Sequence, residues 1–92
     1  MVVTPGMVEL GPVQVEENRR WAGLAARQAT HLLLVGATNR RALIDGAAEV
    51  PAGERAAVVV VDRHDQAVAW VRAHTGPGDV VLYENQLPDH YP

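Results

Sequence analysis

Residues Ala56 to Asp62 read AAVVVVD. Four valines in a row restrict χ1 and favour extended chain. Successive side chains of a strand point to opposite faces, so this one is apolar above and below. An unbroken apolar run of this kind fits a strand of a parallel sheet covered on both faces. HLLLVG, His31 to Gly36, reads the same way and stops at a glycine. Val2-Val3 and VVLYE, Val80 to Glu84, supply a first and a last strand.

The segments between them change period from two to three or four. Val15 to Ala29 is a predicted helix, with Trp21, Leu24, Ala25 and Gln28 at helical spacing and Glu16-Glu17 near its positive end. A second helix runs to about Ala48, with Thr38 or Asn39 as its cap and Leu43 and Ala47 inward. A third runs from a cap at Asp62 to about His74, with Ala67, Val68 and Val71 inward. Both tryptophans have apolar neighbours and are expected in the core or in a domain contact. Strands alternating with helices specify an α/β fold with a mainly parallel sheet and right-handed crossovers.

In such a sheet ligands bind beyond the carboxyl ends of the strands. Here those ends are Thr4 to Gly11, Gly36 to Arg41, Asp62 to Asp65 and Glu84 to Asp89, which form one polar rim. The first of them, TPGMVELGP, lies between a strand and a helix as a phosphate loop does. It has neither GxGxxG nor GxxxxGK[ST], and Met7, Val8 and Leu10 are too apolar for a phosphate cradle. On residue physics it is a βα loop in which Pro5-Gly6 turns the chain, Met7 and Leu10 fill an apolar hollow and Glu9 faces the rim.

Absences narrow the chemistry. The 92 residues contain no Lys, Ser, Cys or Phe. A Ser-His-Asp or Cys-His site is therefore excluded within this chain, as are a P-loop lysine and a Schiff base. The net charge is −3 with no run of either sign, which argues against nucleic-acid binding and against a polybasic membrane contact. No apolar run approaches the roughly 18–20 residues of a membrane-spanning helix, and no stretch reads as a signal peptide. The expected location is the cytoplasm. His31, His64, His74 and His90 lack metal-ligand spacing.

TPGMVELG resembles the start of the C-terminal domain of the Mur ligases, most closely the branch that adds D-alanyl-D-alanine to the UDP-N-acetylmuramoyl-tripeptide. That branch commonly carries a glycine-aspartate-methionine-leucine-glutamate-leucine-glycine run at this place, matched here by Met7, Glu9, Leu10 and Gly11. The similarity continues through NRRWAGLAA, HLLLVG, DRHDQAVAWVR and GPGDVVLYE, and so covers essentially the whole chain. Gly6 stands where the commoner pattern has aspartate, and Asn18 where it has histidine. ENQLPDHYP replaces a lysine-glycine-serine-arginine run. These departures resemble a divergent subgroup of that branch.

The resemblance implies a Rossmann-like three-layer sandwich with a mainly parallel sheet. Residues 1–92 would be a single C-terminal domain, detached from the N-terminal domain that binds the UDP substrate and the central one that binds ATP. It implies an ATP-dependent amide ligase of peptidoglycan precursor synthesis, with ATP and Mg2+ held by the full-length ligase and none expected on this chain alone. The domain would bring in the amino acid or dipeptide and close over ATP, and in isolation it would be inactive, with no catalytic residue or metal ligand of its own. By the same resemblance Glu9, Glu84 and Asn85 lie on the substrate side, where the two acids can hold an ammonium or order a closing loop. Arg40, Arg41 or Arg63 can take the terminal carboxylate, because a guanidinium fork matches it. Asn39 and His64 can reach the nucleotide. Against these roles, Asn39 and Asp62 are good helix caps, and Arg40-Arg41 can be a solvated face.

A freestanding, non-catalytic α/β binding or regulatory domain is the alternative. A receiver needs an acceptor aspartate after its third strand, and Asp62 is suitably placed; its acid cluster and lysine are missing. A module that only mediates protein contacts is the other form of this alternative.

Overall fold

A computed structural model describes residues 1–8 and 11–84. Four strands, β1 (Val2–Thr4), β2 (His31–Val35), β3 (Ala57–Val61) and β4 (Leu82–Tyr83), form one sheet in the order β3-β2-β1-β4. Every pairing is parallel, with Val3 opposite Leu33 and Tyr83, and Leu33 opposite Val59. Helices α1 (Gln14–Gln28), α2 (Arg40–Ala48) and α3 (His64–His74) connect them. The fold is therefore α/β, a three-layer sandwich of the Rossmann-like kind.

The pleat divides the core in two. Leu32 and Leu34 face α1 and α2, meeting Ala22, Ala26, Leu43, Ala47 and Val50. Val3 and Leu33 face the other way, against Ala67 and Val71 of α3. Trp21 and Trp70 are half-buried, one against each cluster. On the first face the two helices approach closely because Gly46 has no side chain. A Cβ there would stand 1.9 Å from the Arg19 carbonyl oxygen, inside any tolerable contact.

Three expectations are corrected. The buried stripe of α1 is Asn18, Ala22 and Ala26, while Leu24 and Gln28 are exposed. Small residues face inward because α2 lies so near. Next, β3 is an edge strand rather than a fully covered one, and Val58 and Val60 keep 38% and 40% of their surface. Four valines recorded strand propensity, which is not the same as burial. Finally, the last strand is shortened from Val80–Glu84 to two residues, since its only partner among the described residues is the three-residue β1.

Candidate functional site

All four strands run the same way, so their carboxyl ends meet on one edge, as the alternation of elements predicts. The described part of this rim consists of residues 4–8, 11, 36–41, 62–65 and 84. Glu9 and Asn85 lie outside the described residues, as does Leu10.

The loop after β1 is held by a group of uncharged side chains. Asn18 is 0% exposed and Asn39 5%. Asn18 Oδ1 accepts from the Met7 N–H at 2.7 Å, while its Nδ2 donates to the Met7 and Gln14 carbonyls at 2.9 and 2.8 Å. Asn39 Nδ2 donates to the Pro5 and Met7 carbonyls, both at 3.1 Å, and its Oδ1 accepts from Gln14 Nε2 at 2.9 Å. The two amides also touch, Asn18 Nδ2 donating to Asn39 Oδ1 at 3.3 Å. Thr4 Oγ1, buried beside them, accepts from the Gly6 N–H at 3.0 Å.

Gly6 completes the arrangement. Its φ is +84°, in the left-handed region that side chains avoid, and a Cβ would stand 2.6 Å from Asn18 Oδ1 and 2.9 Å from the Asn39 side chain. Among the described residues no buried side-chain nitrogen or oxygen lacks a partner. A buried amide is tolerable only on that condition.

Arg40, the next residue along, serves the loops after β2 and β3. Its Nε donates to the Gly36 carbonyl at 3.1 Å, and Nη2 reaches Asp62 Oδ1 at 2.8 Å and the Val61 carbonyl at 3.5 Å. The Gly36 N–H donates to the same Val61 carbonyl at 2.9 Å. Residues 39 and 40 at the start of α2 therefore grip all three described loops of the rim.

Two expected caps are replaced. Asn39 is the residue preceding α2, yet its side chain makes no capping hydrogen bond, because its amide is turned onto the β1 loop. Asp62 does not cap α3. It pairs with Arg40, and Gln66 Oε1 accepts instead from the Asp62 and Arg63 N–H groups at 3.0 and 2.9 Å.

The remaining predicted residues lie apart. Arg41 is 89% exposed at its side chain and, among the described residues, pairs with Asp45, one turn on, at 3.4 Å. Arg63 pairs with Asp65 at 3.0 Å, and this donor holds the Asp65 carboxyl below its ordinary value. The His64 and Tyr83 rings stand 6.0 Å apart, bringing the start of α3 beside β4. Glu84 donates its N–H to the Val3 carbonyl at 2.8 Å. Nothing in the sequence names Asn18 or Gln14 as a site residue, and Thr4 enters only as the first residue of the rim. The available signal was an asparagine inside a helix, on the stripe it shares with Ala22 and Ala26, where it is a poor helix former.

No known protein-family pattern, curated protein or solved structure matches the chain.

Proposed function

We propose that this chain is the C-terminal domain of an ATP-dependent, Mur-type amide ligase of peptidoglycan precursor synthesis. The observation that carries the reading is a coincidence of place. TPGMVELG, DRHDQAVAWVR and GPGDVVLYE carry part of the sequence resemblance, and in an all-parallel sheet Met7, Arg63 and Glu84 within them lie at one edge, the edge where ligands bind in such sheets. The absence of lysine, serine and cysteine supports it too, since this domain contributes no nucleophile.

In the reaction the carboxylate of the nucleotide precursor takes the terminal phosphoryl group of ATP, leaving ADP and an acyl phosphate. The amine of the incoming amino acid or dipeptide then forms its bond to the acyl carbon, and phosphate departs. The N-terminal and central domains of the parent ligase supply the UDP-substrate and ATP–Mg2+ sites. Within this chain Arg41 and Arg63 stand out for the terminal carboxylate, being solvent-facing and each paired with a single acid among the described residues. Arg40 is bound to the protein's own loops and Asn39 is buried, so both are assigned to shaping the rim. Glu84 and His64 stay on the list as rim groups, as do Glu9 and Asn85 by sequence. The reading places the protein in the cytoplasm, where nucleotide-linked precursors are made. Among the described residues no helix is long and apolar enough to cross a membrane.

The coding sequence upstream of residue 1 tests this directly. A P-loop domain there, and amine-dependent release of ADP and phosphate by the whole protein, are the expected results. Calorimetry of the isolated chain with Mg-ATP should show nothing tighter than about the high-micromolar range, as a chain without a triphosphate cradle requires. Nanomolar affinity or phosphate release by the chain alone would overturn the assignment. Labelling of Asp62 by a small phosphoryl donor would favour the receiver instead.

A further inference from the structure

We propose that Asn18 and Asn39 are positioning residues: together they fix the course of residues 5–7 after β1, so that this part of the rim is set before any ligand arrives. The inference rests on the ligase reading for what the rim does, but not for how the loop is held.

The energetics single out this pair. The face of α1 that carries Asn18 is otherwise alanine, and α2 beyond Asn39 buries Ala42, Leu43 and Ala47. Apolar residues at both places would avoid the cost of dehydrating two amides. What the asparagines supply is direction. Apart from one bond to Gln14 and their mutual contact, the Nδ2 groups donate to the carbonyls of Pro5 and Met7, and Asn18 Oδ1 takes the Met7 N–H. These bonds reach only the backbone of Pro5 and Met7, so they dictate the path of residues 5–7 whatever side chains these carry. Gly6 is the matching half, since the backbone comes near enough to the amides only where no Cβ intervenes.

The pair also joins elements that are distant in sequence. Asn18 belongs to α1 and Asn39 to the start of α2, so the loop is held from two sides. Arg40 fixes the loops after β2 and β3 from the same turn of helix. A rim built this way meets the requirement that reacting groups be oriented before they react, which small displacements defeat.

Amide hydrogen exchange by NMR on the 92-residue chain is the first test. Asn18→Ala removes the acceptor of the Met7 N–H, and Asn39→Asp keeps the side-chain volume but sets an oxygen against the Pro5 and Met7 carbonyls that now accept hydrogen bonds. The Met7 amide should exchange roughly 10- to 100-fold faster in each, with Leu33 and Leu34 of β2 unchanged. Should either variant fail to fold, Gln14→Ala removes only the outer bond to Asn39 and should give a smaller rise, again confined to the loop. Equal acceleration at Met7 and in β2 would overturn the proposal, since the pair would then be merely structural. No change at Met7 would overturn it as well.

Kinetics of the full-length ligase are the second test. Asn39→Asp should lower kcat/KM for the amine substrate about 10-fold or more while KM for ATP is unchanged. A freed loop with wild-type amide formation would overturn the positioning role. Failure of the ligase reading shows separately, as wild-type protein that releases no ADP when the amine is added.

Discussion

On the β1 side of the rim, Asn18 and Asn39 hold the chain with uncharged amides shut away from water. On the β3 side, Arg40–Asp62 and Arg63–Asp65 are ion pairs whose acids stand in solvent. The two solutions differ in what they resist. Buried hydrogen bonds are directional, costly to break singly and insensitive to salt. Exposed ion pairs are weak, screened and easily exchanged for another anion. The contrast separates buried amides that hold residues 5–7 from exposed ion pairs, of which Arg63–Asp65, unlike the loop-bound Arg40, can open to a charged ligand.

Gly6→Ala should break the contrast most severely. It combines a left-handed φ with a Cβ driven into both asparagines, and should cost about 2–4 kcal/mol. Thermal unfolding should register this as a fall in Tm on the order of 10–20 °C. A shift of under about 2 °C would show that the loop can move away, against its description as fixed.

Asn18→Ala comes next, at about 2–3 kcal/mol, because the Met7 N–H loses its acceptor in a dry place. Arg40→Ala should cost about 0.5–1.5 kcal/mol. Urea unfolding of both variants at low salt and at about 1 M NaCl sharpens the comparison, since the Debye length falls to about 3 Å there. The Arg40 effect should shrink while the Asn18 effect stays. Equal salt dependence would erase the distinction between the two halves.

The smallest effect belongs to pH. Bonding to Arg63 lowers the folded-state value of the Asp65 carboxyl. Its contribution to stability is therefore present above the ordinary carboxylate range and is lost as pH falls through the lowered value. Arg63→Ala should remove that part of the acid-side slope, lowering stability slightly at neutral pH and leaving it unchanged below the lowered value. The amides holding the β1 loop do not titrate there, so the Asn18→Ala difference should stay constant over the same window.

Much of this fold is legible in the chain. AAVVVVD and HLLLVG are strands in parallel register, and Leu43, Ala47, Ala67 and Val71 do face inward. Apolarity alone does not give burial. Leu24 is apolar and exposed, and Val58 lies at an edge, because the order of strands is a three-dimensional fact that no local window contains. For the site, the charged rim residues could be named from strand ends. Asn39 could be named there too, but not its partnership with Asn18, which depends on residues 5–7, 18 and 39 meeting. Local rules assign Asn39 and Asp62 to helix caps, and each is drawn away by a partner distant in sequence.

The strand order also sets the order of assembly. β1 lies between β2 and β4, and its bond to β4 joins residues roughly 80 positions apart. Its bond to β2, and that of β2 to β3, close loops of only about 25–30 residues. Chain entropy therefore favours β1, β2 and β3 pairing first, with the short β4 ladder closing last and opening first. When β4 detaches, β1 becomes a margin of the sheet and its outward backbone groups meet water. Local unfolding of this protein should begin there, next to the loop that the buried asparagines hold still.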